Sequence, residues 1–379
     1  MKIGVVIAEY NPFHNGHKYQ LDDFRKNCDL DSVIVIMSGN FVQRGEPAIC
    51  DKRERAKWAI MGGADMVVEL PSFYACANAS AFARGAISTV KGIADYIGFG
   101  AETDDIELLK EAALINVDCV RNTSQGKSYP REIYEWIAAN YPKTISELYK
   151  KPNCTLAFEY IRAANEISPN VKLYATKRIG AEHDSDTAVN DFASATKLRE
   201  MIVSGLNISR YVPEYVKINK FITLKDIEKI ILYKLRMMSV DELSQIADVN
   251  EGLEFLLKRE IFNCTDIKGF LSLIKSKRYT MARLKRICIS AVNGFTNELV
   301  YSEPKYIHVL AVRSDSRNKL FAEISKRSEL KIIAKATDYK NAKSDVICMT
   351  NIDNQSSDLF SLFYNDYPKK DYTNKLLII

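Results

Sequence analysis

No apolar run in this 379-residue chain approaches the roughly 18 residues needed to cross a bilayer, which predicts a soluble protein with no membrane partner. The first apolar run, Ile3 to Ala8, stops at Glu9 and is too short for the core of a signal peptide. Cysteine is sparse and scattered. Cys28, Cys50, Cys76, Cys119, Cys154, Cys264, Cys288 and Cys348 form no CxxC pair. That argues against a zinc module or a disulfide framework and fits reduced thiols in a cytoplasm. Ten prolines and 16 glycines are too few for a collagen-like or low-complexity chain, and 47% hydrophobic residues exclude intrinsic disorder. Histidine is rarer still, with four residues. The formal charge of +5 permits an anionic partner without requiring one.

At about 100–200 residues per domain the length predicts two or three domains. Ten of the 16 glycines fall in the first 100 residues, as expected of a loop-rich α/β unit. Short apolar runs at Ile3–Ala8, Ser32–Met37, Asp65–Glu69, Tyr96–Phe99 and Lys172–Thr176 read as buried strands. Helical stretches at Lys52–Met61, Phe73–Val90 and Asn153–Ile167 lie between them. This alternation predicts a doubly wound, Rossmann-like parallel sheet with its ligand at the carboxyl ends of the strands. Residues 214–303 contain no proline and three glycines. Their apolar residues recur at helical spacing, from Leu224, Ile227 and Ile231 to Leu253 and Leu257. The expected division is a nucleotide domain over 1–210, a helical domain over 211–300, and a small mixed α/β region over 301–379.

Two of the four histidines sit three apart, directly after the first strand, in Glu9-Tyr10-Asn11-Pro12-Phe13-His14-Asn15-Gly16-His17. Pro12 stiffens the turn, and Gly16 lets a helix N-terminus, with its unpaired N–H groups, approach an anion. Two imidazoles add donors for a phosphate whose charge builds in a transition state. The pattern suits displacement at a nucleotide α-phosphate. Each histidine taken singly could equally be a helix cap. A zinc site is rejected, because no neighbouring cysteine or carboxylate cluster completes the pair. A second segment, Ser194-Ala195-Thr196-Lys197-Leu198-Arg199, offers hydroxyls at a helix start with an arginine one turn in.

Together these segments resemble the HxGH nucleotidyltransferase superfamily. Asn11 stands where that superfamily usually has aspartate before the proline. The opening Tyr10–His17, the blocks Met37–Ala48 and Gly63–Pro71, and Gly98–Glu102 are similar to bacterial tRNA(Met) cytidine acetate ligases. The resemblance implies an ATP-dependent ligase. It would activate acetate as acetyl-adenylate, release pyrophosphate, and acetylate N4 of the wobble cytidine in the anticodon loop of elongator tRNA(Met). It further implies an ATP site built from Ile7, Ala8, Glu9, Tyr10, Asn11, Pro12, Phe13, His14, Asn15, Gly16, His17, Lys18, Tyr19 and Gln20 with Gly100, Asn153 and Arg178. His14 and His17 would be catalytic. Lys177, Ser194, Thr196 and Arg199 would hold phosphates, and magnesium would bridge them through ligands that cannot be named. Gln43 and Arg44 face either acetate or cytidine, or merely shape their loop. His183 and Asp184 receive no role.

Residues 268–286 carry seven basic side chains and no acidic one, more positive charge than the whole chain's net. Lys275, Lys277, Arg278, Tyr279, Arg283, Lys285 and Arg286 are therefore the expected tRNA contacts, with Tyr279 stacking on a base. A solvated helix face is the alternative. Two other functions share parts of this pattern. A small-molecule adenylyl- or cytidylyltransferase would share the histidine turn but leave the basic C-terminal half unexplained. An RNA-binding protein with a vestigial nucleotide site would not need an intact turn. No obligate protein partner is implied.

Overall fold

The computed structural model describes residues 1–117, 119–120, 129–178 and 191–379. His183 and Asp184 lie outside them. The strands are β1 (Ile3–Ala8), β2 (Ser32–Ser38), β3 (Phe41–Val42), β4 (Glu46–Pro47), β5 (Met66–Leu70), β6 (Tyr96–Ala101), β7 (Lys172–Lys177), β8 (Tyr306–Val312), β9 (Lys331–Ile333) and β10 (Leu377–Ile378). Eight of them form one sheet in the order β10-β8-β5-β2-β1-β6-β7, with β9 also paired to β8. From β5 through β7 the neighbours are parallel, and β1, β2 and β5 are buried along nearly their whole length. Helices on both faces explain why these strands read as unbroken apolar runs. The expected parallel α/β fold is the one observed.

Chain order runs outward from β1 to β2 and β5, then jumps back to β6 on the other side of β1. The reversal opens a crevice at the carboxyl ends of β1 and β6. Arg55, with a fully buried side chain, fixes one wall of it. Its guanidinium donates to the carbonyls of Glu9, Ser38, Gly39 and Cys50, which ties together the exits of β1 and β2.

Two features differ from the sequence reading. The stretch expected as one helix over Phe73–Val90 breaks into Ser72–Ala75 and Ala79–Thr89, because Asn78 caps a new helix by accepting from the Ala81 amide at 3.1 Å. The 301–379 region is not set apart from the first domain. Its β8 pairs antiparallel with β5, and β9 and β10 continue the sheet beyond it. Between these parts, residues 228–300 form short helices from Glu228–Met237 to Asn297–Val300, with Ile231, Leu235, Leu257, Phe270 and Ile287 in their core. No described helix is long and apolar enough to cross a membrane.

Candidate active site

The helix Asn15–Asn27 begins where β1 ends, and two histidines cap it. His14 is the N-cap, its Nδ1 accepting from the Gly16 amide at 3.1 Å, while Nδ1 of His17 accepts from the His14 amide at 3.2 Å. This is the reciprocal pattern of a capping box, made with imidazoles in place of hydroxyl and carboxylate. A ring nitrogen that accepts an N–H carries no proton, so in each neutral ring the proton resides on Nε2. The rings stack 3.6 Å apart, held by Tyr10 and Phe13. The turn thus delivers two parallel N–H donors while using the opposite edge of each ring to start the helix. Gly16 keeps the arrangement open, because a Cβ there would lie 3.0 Å from the His14 ring.

Burial keeps these imidazoles neutral. It lowers the His14 pKa to about 3, helped by the positive charges of Arg178 and Arg199. Burial, His14 and Arg178 lower that of His17 well below its ordinary value. The unfolded chain takes up protons near pH 6.5 that the folded histidines refuse. Their contribution to stability is therefore complete above about pH 6.5 and erodes as pH falls towards 3. Asp353 acts in the opposite sense below about pH 6, since burial and Glu69 raise its pKa to about 6. Comparison with a variant isolates the histidine share. Between pH 7 and pH 5, His17→Asn should lose roughly 1–2 kcal/mol less stability than the parent in urea titrations. Equal losses would count against a neutral, buried His17.

A cleft of about 510 Å³ opens over this turn. Ile7, Ala8, Glu9, Tyr10, Asn11, His14, His17 and Gln20 line its floor, and Gly100 and Asn153 line the β6 side. Arg44, Arg178, Arg199, Ser194 and Thr196 complete a positively charged rim. Arg199 donates to the Asn11 carbonyl at 2.9 Å and to Thr196 Oγ1 at 3.3 Å, so the later helix clamps the histidine turn. Ser194 caps that helix through the Lys197 amide at 3.2 Å. Opposite the rim, Phe82, Phe99, Leu156 and Tyr160 form an apolar wall. A surface apolar on one side and cationic on the other suits an aromatic base joined to phosphates.

A model of the HIGH nucleotidyl transferase family matches residues 1–375. The tRNA(Met) cytidine acetate ligase of Anoxybacillus flavithermus is 37% identical over 376 residues, covering 92% of either chain. Its namesake from Syntrophomonas wolfei is 31% identical over 400 residues, covering 96% of this chain and 95% of its own. The chain belongs to the tRNA(Met) cytidine acetate ligase family. The resemblance of Tyr10–His17 and the following blocks is thereby borne out. Among solved structures, Thermotoga maritima TmcAL without ligand matches over the whole of both chains with a TM-score of 0.90 at 27% identity. The same protein bound to alpha-thio ATP matches with a TM-score of 0.88 at 26% identity.

Not all of the 7–20 segment faces the cleft. Phe13 is buried beneath the histidines. Asn15 donates to the carbonyls of Asp191 and Arg210, and Lys18 turns outward to pair with Asp22 at 2.6 Å. Tyr19, Gly16 and Lys177 line a smaller adjoining cavity that shares Arg178 and Ser194. Gln43 and Arg44 lie in the β3–β4 turn and reach the main cleft. Gly45, at φ 74°, touches the helix Met281–Asn293 so closely that a Cβ would fall 2.2 Å from the Arg286 amide nitrogen. Ala282 of that helix also lines the cleft. The sequence reading missed Arg55, Phe82, Phe99 and Tyr160. The fully buried guanidinium and the dispersed aromatics carry no local motif.

The basic stretch is corrected in part. Tyr279 is buried, with the Arg283 guanidinium over its ring at 5.0 Å. Arg283 donates to the Asp248 carbonyl at 2.9 Å, and Arg286 is buried against the Asp248 carboxylate at 2.8 Å. Lys285 pairs with Glu46. The local excess of charge is matched by acids from distant parts of the chain, and these residues dock the helix against the cleft. Lys275, Lys277 and Arg278 remain exposed, although Lys275 Nζ donates to the carbonyls of Ser276 and Tyr279.

Proposed function

We propose that this protein is an ATP-dependent ligase that activates acetate and acetylates N4 of the wobble cytidine of elongator tRNA(Met). The observation that carries the reading is the histidine-capped turn at the strand-order reversal, whose two histidines line a cleft together with Arg44, Arg178 and Arg199. An acetate oxygen attacks the α-phosphorus of ATP, and the bond to the β-phosphate oxygen breaks to release pyrophosphate. Nε2–H groups of His14 and His17 stabilise the charge that grows on the phosphate oxygens in passage. Arg178 and Arg199, with Lys177 nearby, hold the outer phosphates, and Gly100 and Asn153 meet the nucleoside. Cytosine N4 is conjugated with its ring and does not attack acetate, but it attacks the acetyl carbon of the mixed anhydride. AMP then leaves and N4 gives up a proton. Gln43 and Arg44 sit on the side from which acetate or the cytidine would enter. Among the described residues no three His, Cys, Asp or Glu side chains gather to hold a metal ion, and no step is assigned to magnesium.

The test is incubation with radiolabelled acetate, ATP and bulk bacterial tRNA, followed by digestion and a search for labelled acetylcytidine. Unlabelled tRNA, with nucleotide condensation on a small phosphate ester instead, would overturn the reading. The exposed Lys277 and Arg278 provide a second test. Their joint replacement by alanine should weaken tRNA binding and flatten its logarithmic salt dependence by about 1–2, at roughly 0.7–0.9 per phosphate contact. An unchanged slope would remove this corner from the RNA surface.

A further inference from the structure

Glu102 follows β6 directly and does not line the cleft. One carboxylate oxygen accepts from Asn153 Nδ2 at 2.8 Å, and the other accepts from the Cys154 amide at 3.0 Å. Both donors belong to the first turn of the helix Pro152–Ile167. Burial pushes the Glu102 carboxyl up, but the hydrogen bonds from Cys154 and Asn153 outweigh it and hold the group below its ordinary value. Glu102 is therefore ionised at neutral pH and can only accept. This settles the orientation of the Asn153 amide. Its NH2 must face Glu102, which leaves its oxygen for the cleft that Asn153 lines.

We infer that Glu102 is a positioning residue that sets Asn153 to read a group of the nucleotide that only donates, the exocyclic amine of adenine. The inference rests on the reading of the cleft as an ATP site. It makes nucleotide selectivity depend on a carboxylate that does not touch the nucleotide.

The substitution Glu102→Gln tests it with almost no change of shape. The Cys154 amide can only donate, so it captures the glutamine oxygen and leaves the glutamine NH2 facing Asn153. Asn153 must then offer its oxygen to Gln and turn its own NH2 into the cleft. Equilibrium binding of ATP, ITP, 2′-deoxy-ATP and 3′-deoxy-ATP is measured for the parent, Glu102→Gln and Asn153→Ala, with melting temperatures as a check on folding. The parent should favour ATP over ITP by about 10-fold or more, the size of a mispaired polar group. Glu102→Gln should reverse that preference, since inosine places an acceptor where adenine has an amine. Asn153→Ala should erase the same preference. Preferences over the deoxy analogues should be the same in the parent and Glu102→Gln, because a ribose hydroxyl accepts as well as donates. An ATP-to-ITP ratio in Glu102→Gln within twofold of the parent would overturn the inference while leaving the ATP site intact. Failure of the parent to bind ATP would overturn both.

Discussion

His17→Asn is expected to fold with near-parental stability yet lose acetate-dependent ATP–pyrophosphate exchange by about 100- to 1,000-fold, the usual cost of removing one transition-state donor. The argument follows from the two edges of the ring. Nδ1 accepts the His14 amide and so belongs to the helix cap, whereas Nε2 carries the ring proton and is the edge left for the cleft that His17 lines. An asparagine amide reaches about as far as Nδ1 and keeps the cap, but it ends short of Nε2. Glutamine does the reverse, carrying its NH2 to the position of Nε2 without a group to receive the His14 amide. His17→Gln should therefore retain exchange within about 10-fold of the parent while losing about 1 kcal/mol of stability. Exchange by pyrophosphate reports the first half-reaction alone and needs no tRNA, so a defect in RNA binding cannot imitate the result. His17→Asn with exchange within threefold of the parent would remove His17 from the chemistry.

The histidine turn was legible in sequence because its parts are adjacent. Strand exit, cap, small residue and both histidines fit within Glu9–His17, and the observed cap leaves Nε2 of each ring for the chemistry proposed. Ser194–Arg199 was legible for the same reason. Residues whose role comes from a distant partner were not. Arg55 gathers carbonyls from two strand exits, and Glu102 acts through the start of a helix some 50 residues later, so neither leaves a local pattern. The basic stretch near residue 280 misled in the same way, since its neutralising partners Glu46 and Asp248 lie 239 and 38 residues away. The mixed α/β character expected of 301–379 is seen, with β8 at Tyr306–Val312 as its first strand. What periodicity could not reveal is that it joins β5 antiparallel, because alternation along one strand carries no information about its neighbour.

That junction sets the second large effect. Lys52→Met should cost about 3–5 kcal/mol, the loss typical when one partner of a buried ion pair is removed. Lys52 is almost wholly buried at the start of the helix Lys52–Met61. Its ammonium meets Glu69 at 2.7 Å, Asp371 at 2.7 Å and Ser357 at 2.9 Å. Glu69 also takes His308 Nδ1 at 2.8 Å. One cation, 319 residues before Asp371, thus joins the first domain's β5 to the last helical turn of the chain, Lys370–Thr373. Burial would push Glu69 towards its neutral form, yet Lys52 and His308 more than offset it and hold its pKa at about 2. Without the ammonium, Glu69 and Asp371 face each other in a site from which water is largely excluded. Either one takes up a proton at neutral pH or the C-terminal segment leaves the sheet. The triple change Lys52→Met, Glu69→Gln, Asp371→Asn removes the stranded charges together with the lysine, so it should recover part of the lost stability. Urea titrations of both proteins at pH 7 decide the matter. A single variant within about 0.5 kcal/mol of the parent would mean that the cluster does not hold the two ends of the chain together. A triple variant no better than the single would mean that the cost arises from lost packing of the lysine stem and not from charges left without a partner.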